Sequence, residues 1–415
     1  MKKKSLLEEE LYHSFLFFLE QSNHDEESDG YGLILDNTKN KNMASIASVG
    51  FGLSSYVIGV ENKYITYDEG RKHVINTFKT FINHVDKFNG FYNHFLDIKT
   101  ANPYKKCEFS TIDTVIFFNG AITCDSYFDE EEVHSLFNKL FDMLDFLPFI
   151  TKYKDSKVFR MAYNPIVDGD YRGESSSPWI YHWHMYAEQI SMYFLAAATD
   201  NIDANLAKDL YYGFIRKKGK YNNHEYIYCP TNSLFVYQYS HAWIDFNKII
   251  DSSGFDWFQN SIIATKANKE YCYDNRDRYP ILKDSLWGLT ACLTPKGYRN
   301  QCIEPNDFDD KENHVFGVFP PSGPLGSIPF ATDDVKKLLD VLESKYMEAF
   351  REYGFTDGIT IENDKLWISD YYIGINKGIT VLMIDNYLHG TTWKYYMKHP
   401  LIKKAIKKLG FRRKN

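Results

Sequence analysis

Residues 44–60 read ASIASVGFGLSSYVIGV, with no charged side chain and no polar face. A helix of that kind has to be covered on every side. Four further stretches have the same character: 111–124 (TIDTVIFFNGAITC), 183–198 (WHMYAEQISMYFLAAA), 234–246 (LFVYQYSHAWIDF) and 373–388 (IGINKGITVLMIDNYL). Between them lie one-faced helical patterns, such as Val74, Ile75, Phe78, Phe81, Ile82 and Val85. Val133, Leu136, Phe137, Leu140, Phe141 and Leu144 form a second, and Val335, Leu338, Leu339 and Leu342 a third. Wholly buried helices alternating with one-faced helices fit two concentric rings, the layout of an (α/α) barrel. A parallel α/β sheet is the rival, because short apolar runs also suit buried strands. The length of these runs and their Ala, Gly and Ser content favour helix.

The chain opens with an amphipathic helix and a polar connection, SNHDEESDGYG at 22–32, so the expected division is 1–32 followed by one large domain over 33–415. With 415 residues and 44% hydrophobic content the chain can bury a sizeable core. Its net charge of -7 gives no general affinity for polyanions, which sets nucleic acid aside as a partner. The basic run from Lys403 to Lys414 reads as a solvated last helix, where cations suit the C-terminus. Six cysteines without a C-x-x-C pair read as reduced, buried thiols. No signal-like segment and no run of about 20 apolar residues is present, so a cytoplasmic protein off the membrane is expected. Aromatics are 17% of the chain, which suits sugar rings that stack on one face and hydrogen-bond at the rim. An AT-rich genome would inflate the same residues.

Glu188 is the only carboxylate between residues 175 and 199. Read as helix, its neighbours at i±3 and i±4 are His184, Met185, Ser191 and Met192, surroundings in which a carboxyl group either has a partner or holds its proton. Asp113 follows Ser110 by three residues, the spacing of a helix cap; the same position would put a carboxylate at the mouth of an inner helix. Gln238 to Asp245 packs polar and aromatic groups together, which fits a sugar cleft or an internal hydrogen-bond network equally well. His184 and Glu188 are spaced i, i+4, but with His182 and His241 they give no third or fourth metal ligand at a defined spacing, so no metal and no cofactor is expected. A nucleophile elbow and a phosphate loop are both missing from the sequence.

These blocks together resemble the glucoamylase-like domain family that includes bacterial endo-β-1,2-glucanases. The resemblance runs from about residue 40 to the C-terminus. It rests on 44–59, Ser110–Thr114, Tyr186-Ala187-Glu188, 237–246, Ser285–Ala291, Ser327–Ala331, Tyr353–Asp357 and Met383–Tyr387. It implies an (α/α)6 barrel and hydrolysis of a glucan with inversion. Glu188 matches the position of the general acid, and Asp113 an acidic position in the substrate cleft. Tyr239, His241, Trp243, Asp245 and Trp287 match cleft-lining segments, with Asp370 and Asn376 beside them. Asp113 is expected to be the second carboxylate, with Asp245 and Asp370 in reserve. At 376 relatives carry an acid and this chain carries Asn, which cannot act as a base. A monomer acting on an oligo- or polysaccharide is therefore expected. The alternatives are a glycan-binding protein without turnover, or another sugar enzyme such as a phosphorylase or transglycosylase.

Overall fold

The structure, a computed structural model, describes residues 4–171, 177–307 and 315–414; parts of the long connections expected at 151–180 and 295–330 lie outside it. Helices dominate. In chain order they are α1 (Leu6–Glu20), α2 (Ile46–Glu61), α3 (Tyr67–Asn83), α4 (Thr111–Phe128), α5 (Glu131–Phe141), α6 (Ile190–Ala198) and α7 (Ala204–Gly213). They continue with α8 (Trp257–Asp274), α9 (Ser322–Gly326), α10 (Thr332–Lys345), α11 (Gly374–Leu388), α12 (Thr391–Lys398) and α13 (Pro400–Leu409). The strands are short and lie in the connections, mostly as two-stranded ribbons.

Helices α2, α4, α6 and α11 are buried nearly all round, whereas α3, α5, α7, α10 and α13 bury one face, as the hydrophobic pattern requires. Helix α2 lies between α4 and α11; α6 packs on α4, and α9 on α11. At the α2–α4 crossing the backbones touch: a Cβ on Gly120 would come within 2.1 Å of the Gly50 carbonyl oxygen, and one on Gly50 within 2.3 Å of that of Ile116. Only glycine permits that approach. Ser45 and Ser110 cap α2 and α4 as N-caps, which fixes where both helices begin.

Two of the apolar runs depart from the expected helix. Residues 179–182 form a strand paired with 156–163, and the chain stays extended beyond it, with the Trp183 N–H on the Phe159 carbonyl and the Tyr186 N–H on that of Ile215. Donors captured by neighbouring segments cannot serve a helix, so α6 starts only at Ile190 and Glu188 stands in the turn before it. Residues 234–246 form two short 3₁₀ turns, Leu234–Tyr237 and Tyr239–Ala242, broken at Gln238. The amide of Gln238 is used by the Gly323 carbonyl at 2.6 Å and Ser327 Oγ at 2.7 Å.

Helix α1 packs on α11 through a buried ion pair, Lys377 Nζ to Glu10 Oε1 at 2.9 Å, which Ser14 joins from both sides. On α13, Lys404 and Lys408 donate to the carbonyls of Ala198, Thr199 and Ile202, so two residues of the basic C-terminal run close the end of α6. All six cysteines are free and buried. Among the described residues no helix is long and apolar enough to cross a membrane.

Candidate active site

Glu188 is held by its backbone and left free at its carboxyl group. Gln189 latches the turn, accepting from the Ala187 N–H at 2.7 Å and donating to the Met185 carbonyl at 2.8 Å. Ser240 Oγ donates to the Glu188 carbonyl at 2.8 Å and accepts from the Ser191 N–H at 3.0 Å, tying the turn to the Tyr239–Ala242 segment. Among the described residues no other side chain hydrogen-bonds or ion-pairs with the Glu188 carboxyl group. Burial raises its pKa to about 7, its own N–H opposes the shift, and the charge of Asp113 adds to it. Near neutral pH this carboxyl group therefore carries a proton in a large fraction of molecules.

Asp113 sits in the first turn of α4, where the Ser110 hydroxyl donates to it and the helix N-terminus favours its charge. Beside it stands His94, with Nε2 at 3.6 Å from Asp113 Oδ1 and Nδ1 at 2.9 Å from Glu108 Oε1, its ring stacked on Phe95 at 3.8 Å. Burial pulls the His94 pKa down, but Asp113, Glu108 and Asp36 outweigh it and push it up to about 9. Burial also raises Asp36, against the Asn37 amide at 2.8 Å. His94 and Asp113 line a cleft of about 610 Å³ whose walls include Met43, Tyr104, Tyr171 and Trp183. Aromatic walls around paired carboxyl groups offer a sugar ring a stacking face and proton transfer at its rim.

Of the residues expected with them, Tyr239 belongs to this group: its hydroxyl is pushed well above its usual range by burial and then by the charges of Glu188, Asp113 and Asp357. Asn376 is buried and donates to Asp357 Oδ1 at 2.6 Å and to the Ala291 carbonyl at 3.2 Å. Asp357 is raised to about 6 by burial, although Asn376 and the Leu293 N–H both stabilise its charge. Asp370 is exposed.

The others are held elsewhere. His241 is buried with Nε2 at 2.9 Å from Ser261 Oγ, and burial lowers its pKa to about 3. Trp243 donates to Ser54 Oγ at 2.9 Å and packs on Phe51 in the core. Asp245 is buried and pairs with Lys248 at 2.8 Å. Trp287 lines a separate cavity of about 370 Å³ beside α8 and α10, with Lys269, Asp334 and Lys337. The polar and aromatic segment after Gln238 is thus mainly an internal network, with Tyr239 the member turned to the carboxylates. His184 does not stand one turn from Glu188: its Nδ1 is 3.0 Å from that of His182, and both rings lie against Tyr153. Among the described residues no group of side chains is arranged to hold a metal ion.

Sequence reading missed His94, Glu108 and Asp36. They come from connections rather than helices and reach Asp113 through tertiary contact, so no spacing announces them. Asp357 lay inside a recognised block without a role.

Comparison with known proteins gives the same frame. The sequence model of the family Glycoamylase, described as "Putative glucoamylase", matches residues 180–400. An exo β-1,2-glucooligosaccharide sophorohydrolase (non-reducing end) of Parabacteroides distasonis is 24% identical, covering 91% of this chain and 54% of that protein. The chain thus spans about half the length of that curated relative. An endo-β-1,2-glucanase from Chitinophaga pinensis, solved with sophorotriose and glucose, superposes with a TM-score of 0.82 at 23% identity, covering 98% of each chain. A Bacteroides caccae structure described as a putative glucoamylase gives 0.83 at 24% identity, covering 99% of each. At such identities the solved structures speak for a shared fold.

Proposed function

The chain belongs to the Glycoamylase family, and we propose that it is a glycoside hydrolase that cuts a β-glucan with inversion at the anomeric carbon. The observation that carries this reading is Glu188, whose carboxyl group has no side-chain partner among the described residues, is raised to about 7, and feels the charge of a second carboxylate, Asp113, that lines an aromatic cleft. In the proposed reaction Glu188 gives its proton to the glycosidic oxygen as that bond breaks. Asp113 takes a proton from the water whose oxygen attacks C1 from the opposite face. Inversion needs the two carboxyl groups about 6.5–9.5 Å apart, so that the water fits between them. Tyr239 would hold the sugar between the carboxylates, and Tyr104, Tyr171 and Trp183 would stack on neighbouring units.

β-1,2-Glucan is the first substrate by kinship, since relatives from two genera carry that linkage in their names. The architecture we propose is an (α/α)6 barrel over 33–415, acting as a monomer, with 1–32 leading into it. Helices buried all round and outer helices buried on one face support that layout. Asn376 favours one second reading, a protein that binds glycan without turnover, because an amide there donates to Asp357 and accepts no proton. A panel of purified α- and β-glucans, with chromatographic detection of products, separates the two. Hydrolysis predicts short oligosaccharides from one β-glucan. Calorimetric binding of that glucan with no new reducing ends would favour the binder.

A further inference from the structure

Two carboxyl groups that feel each other's charge compete for one proton, and their surroundings decide which keeps it. Around Asp113 and Glu188 those surroundings are unequal. Asp113 has the Ser110 hydroxyl, the α4 N-terminus and the His94 ring; Glu188 has none of these. From this asymmetry we infer that His94 is a positioning residue: as an imidazolium bridging Glu108 and Asp113, it keeps Asp113 ionised and thereby assigns the proton to Glu188. The inference rests on the hydrolase reading for its catalytic consequence and on geometry alone for the charge of His94.

The geometry is specific. Both ring nitrogens face carboxylate oxygens, at 2.9 Å for Glu108 and 3.6 Å for Asp113. A neutral imidazole has one N–H and one lone pair, and a lone pair turned toward a carboxylate is repelled, so two carboxylates call for two N–H donors. The first contact is a hydrogen bond, and the second is an ion-pair separation. The stack on Phe95 restrains the plane of the ring between its two partners. With 30% of its side chain exposed, His94 reaches the cleft. The groups facing His94 are Asp36, Glu108 and Asp113, a surplus of negative charge that one imidazolium only partly offsets. Those acting on Asp113 include His94, Glu188, Tyr239 and Asp36, while Lys105 and Asp170 line the cleft beyond them.

Two readouts test this. The first needs no catalysis: nitrogen-15 NMR of the His94 ring is followed through a pH titration in the wild type, Asp113→Asn and Glu188→Gln. We expect both ring nitrogens protonated at pH 8 in the wild type, and a titration lower by about one unit or more in Asp113→Asn. Glu188→Gln should leave it in place. A ring that titrates near 6.5 in the wild type, or ignores Asp113→Asn, overturns the inference. The second readout is the pH profile of hydrolysis in His94→Gln, with Glu108→Gln for comparison. The acid limb should move to higher pH by about one unit in His94→Gln, with KM within about threefold of the wild type, whereas Glu108→Gln, which leaves the imidazolium beside Asp113 and removes a neighbouring negative charge, should not move it to higher pH. A fall in rate at every pH with unmoved limbs would show a merely structural histidine and overturn the inference. If the wild type cuts no glucan, the hydrolase reading fails by itself, and the ring titration still decides the charge of His94.

Discussion

The two ends of α4 are built from the same parts and do different things. At its N-terminus Asp113 faces His94, which is also held by Glu108, on a cleft of about 610 Å³. At its C-terminal end Asp125 lies between His134 Nδ1 at 2.6 Å and His399 Nε2 at 2.9 Å, on a cavity of about 530 Å³. His134 continues to Asp129 at 3.0 Å, and His399 Nδ1 accepts the Leu401 N–H at 3.2 Å. Each oxygen of Asp125 has an imidazole partner, and the carboxylate is sealed in. At the other end Glu188 stands near Asp113 with no side-chain partner among the described residues. Neither cavity size nor a histidine–carboxylate pair tells the two apart. The distinguishing feature is a half-buried carboxyl group without a side-chain partner among the described residues.

Substitutions at the two ends should therefore separate activity from stability. The largest effect is expected from Glu188→Gln and Asp113→Asn, each lowering kcat on a β-glucan by roughly 10²–10⁴-fold, measured as product release at saturating substrate. Asp125→Asn should do the converse. Removing the charge leaves the buried His399 N–H and the part-exposed His134 N–H poorly matched, at a cost of about 1–3 kcal/mol in denaturant unfolding, with kcat within about threefold of the wild type. Loss of activity without loss of stability in Asp125→Asn would erase the contrast.

Glu188 also carries a stability signature of opposite sign. Its pKa is raised from about 4.5 to about 7, so the folded state binds the proton more tightly than the unfolded one. Stability on its account falls as pH rises from about 4.5 through 7 and stays lower above that. Glu188→Gln removes this loss and should stabilise the inactive protein at pH 8 by about 1–3 kcal/mol, read from chemical denaturation. An unchanged or lowered midpoint would show that the carboxyl group is satisfied after all. The smallest effect is expected at the far end of α6, where Lys408→Ala strips cationic donors from the Thr199 and Ile202 carbonyls and should cost about 1 kcal/mol, seen as a lower Tm with unchanged activity.

The same division shows what the sequence could reveal. Helices α2, α4 and α11 were legible because they are long, lack a polar face and, in α4, start at a serine cap. Asp113 was legible as the third residue of such a cap. The turn carrying Glu188 was not. An apolar run cannot be assigned to helix or extended chain by hydrophobicity alone, and the Phe159 and Ile215 carbonyls that take up the Trp183 and Tyr186 N–H groups are tertiary contacts. His94, Glu108 and Asp36 were hidden for the same reason, being brought to Asp113 from separate connections. His241, Trp243, Asp245 and Trp287 were ambiguous in the sequence because an internal network and a sugar cleft draw on the same residue types. The leading helix α1 read as a separate piece, yet Glu10 holds the buried Lys377, one residue from Asn376.

Whether Glu188 donates the proton to the leaving sugar is read from the dependence of rate on the leaving group. Wild type and Glu188→Gln are compared on β-1,2-glucan and on a β-1,2-linked glucose disaccharide bearing dinitrophenolate, which departs without a proton. A proton-donating Glu188 requires that the variant lose roughly 10²–10⁴-fold on the glucan and retain most of its rate on the activated substrate. Equal losses on both substrates, or full activity on the glucan, would contradict it.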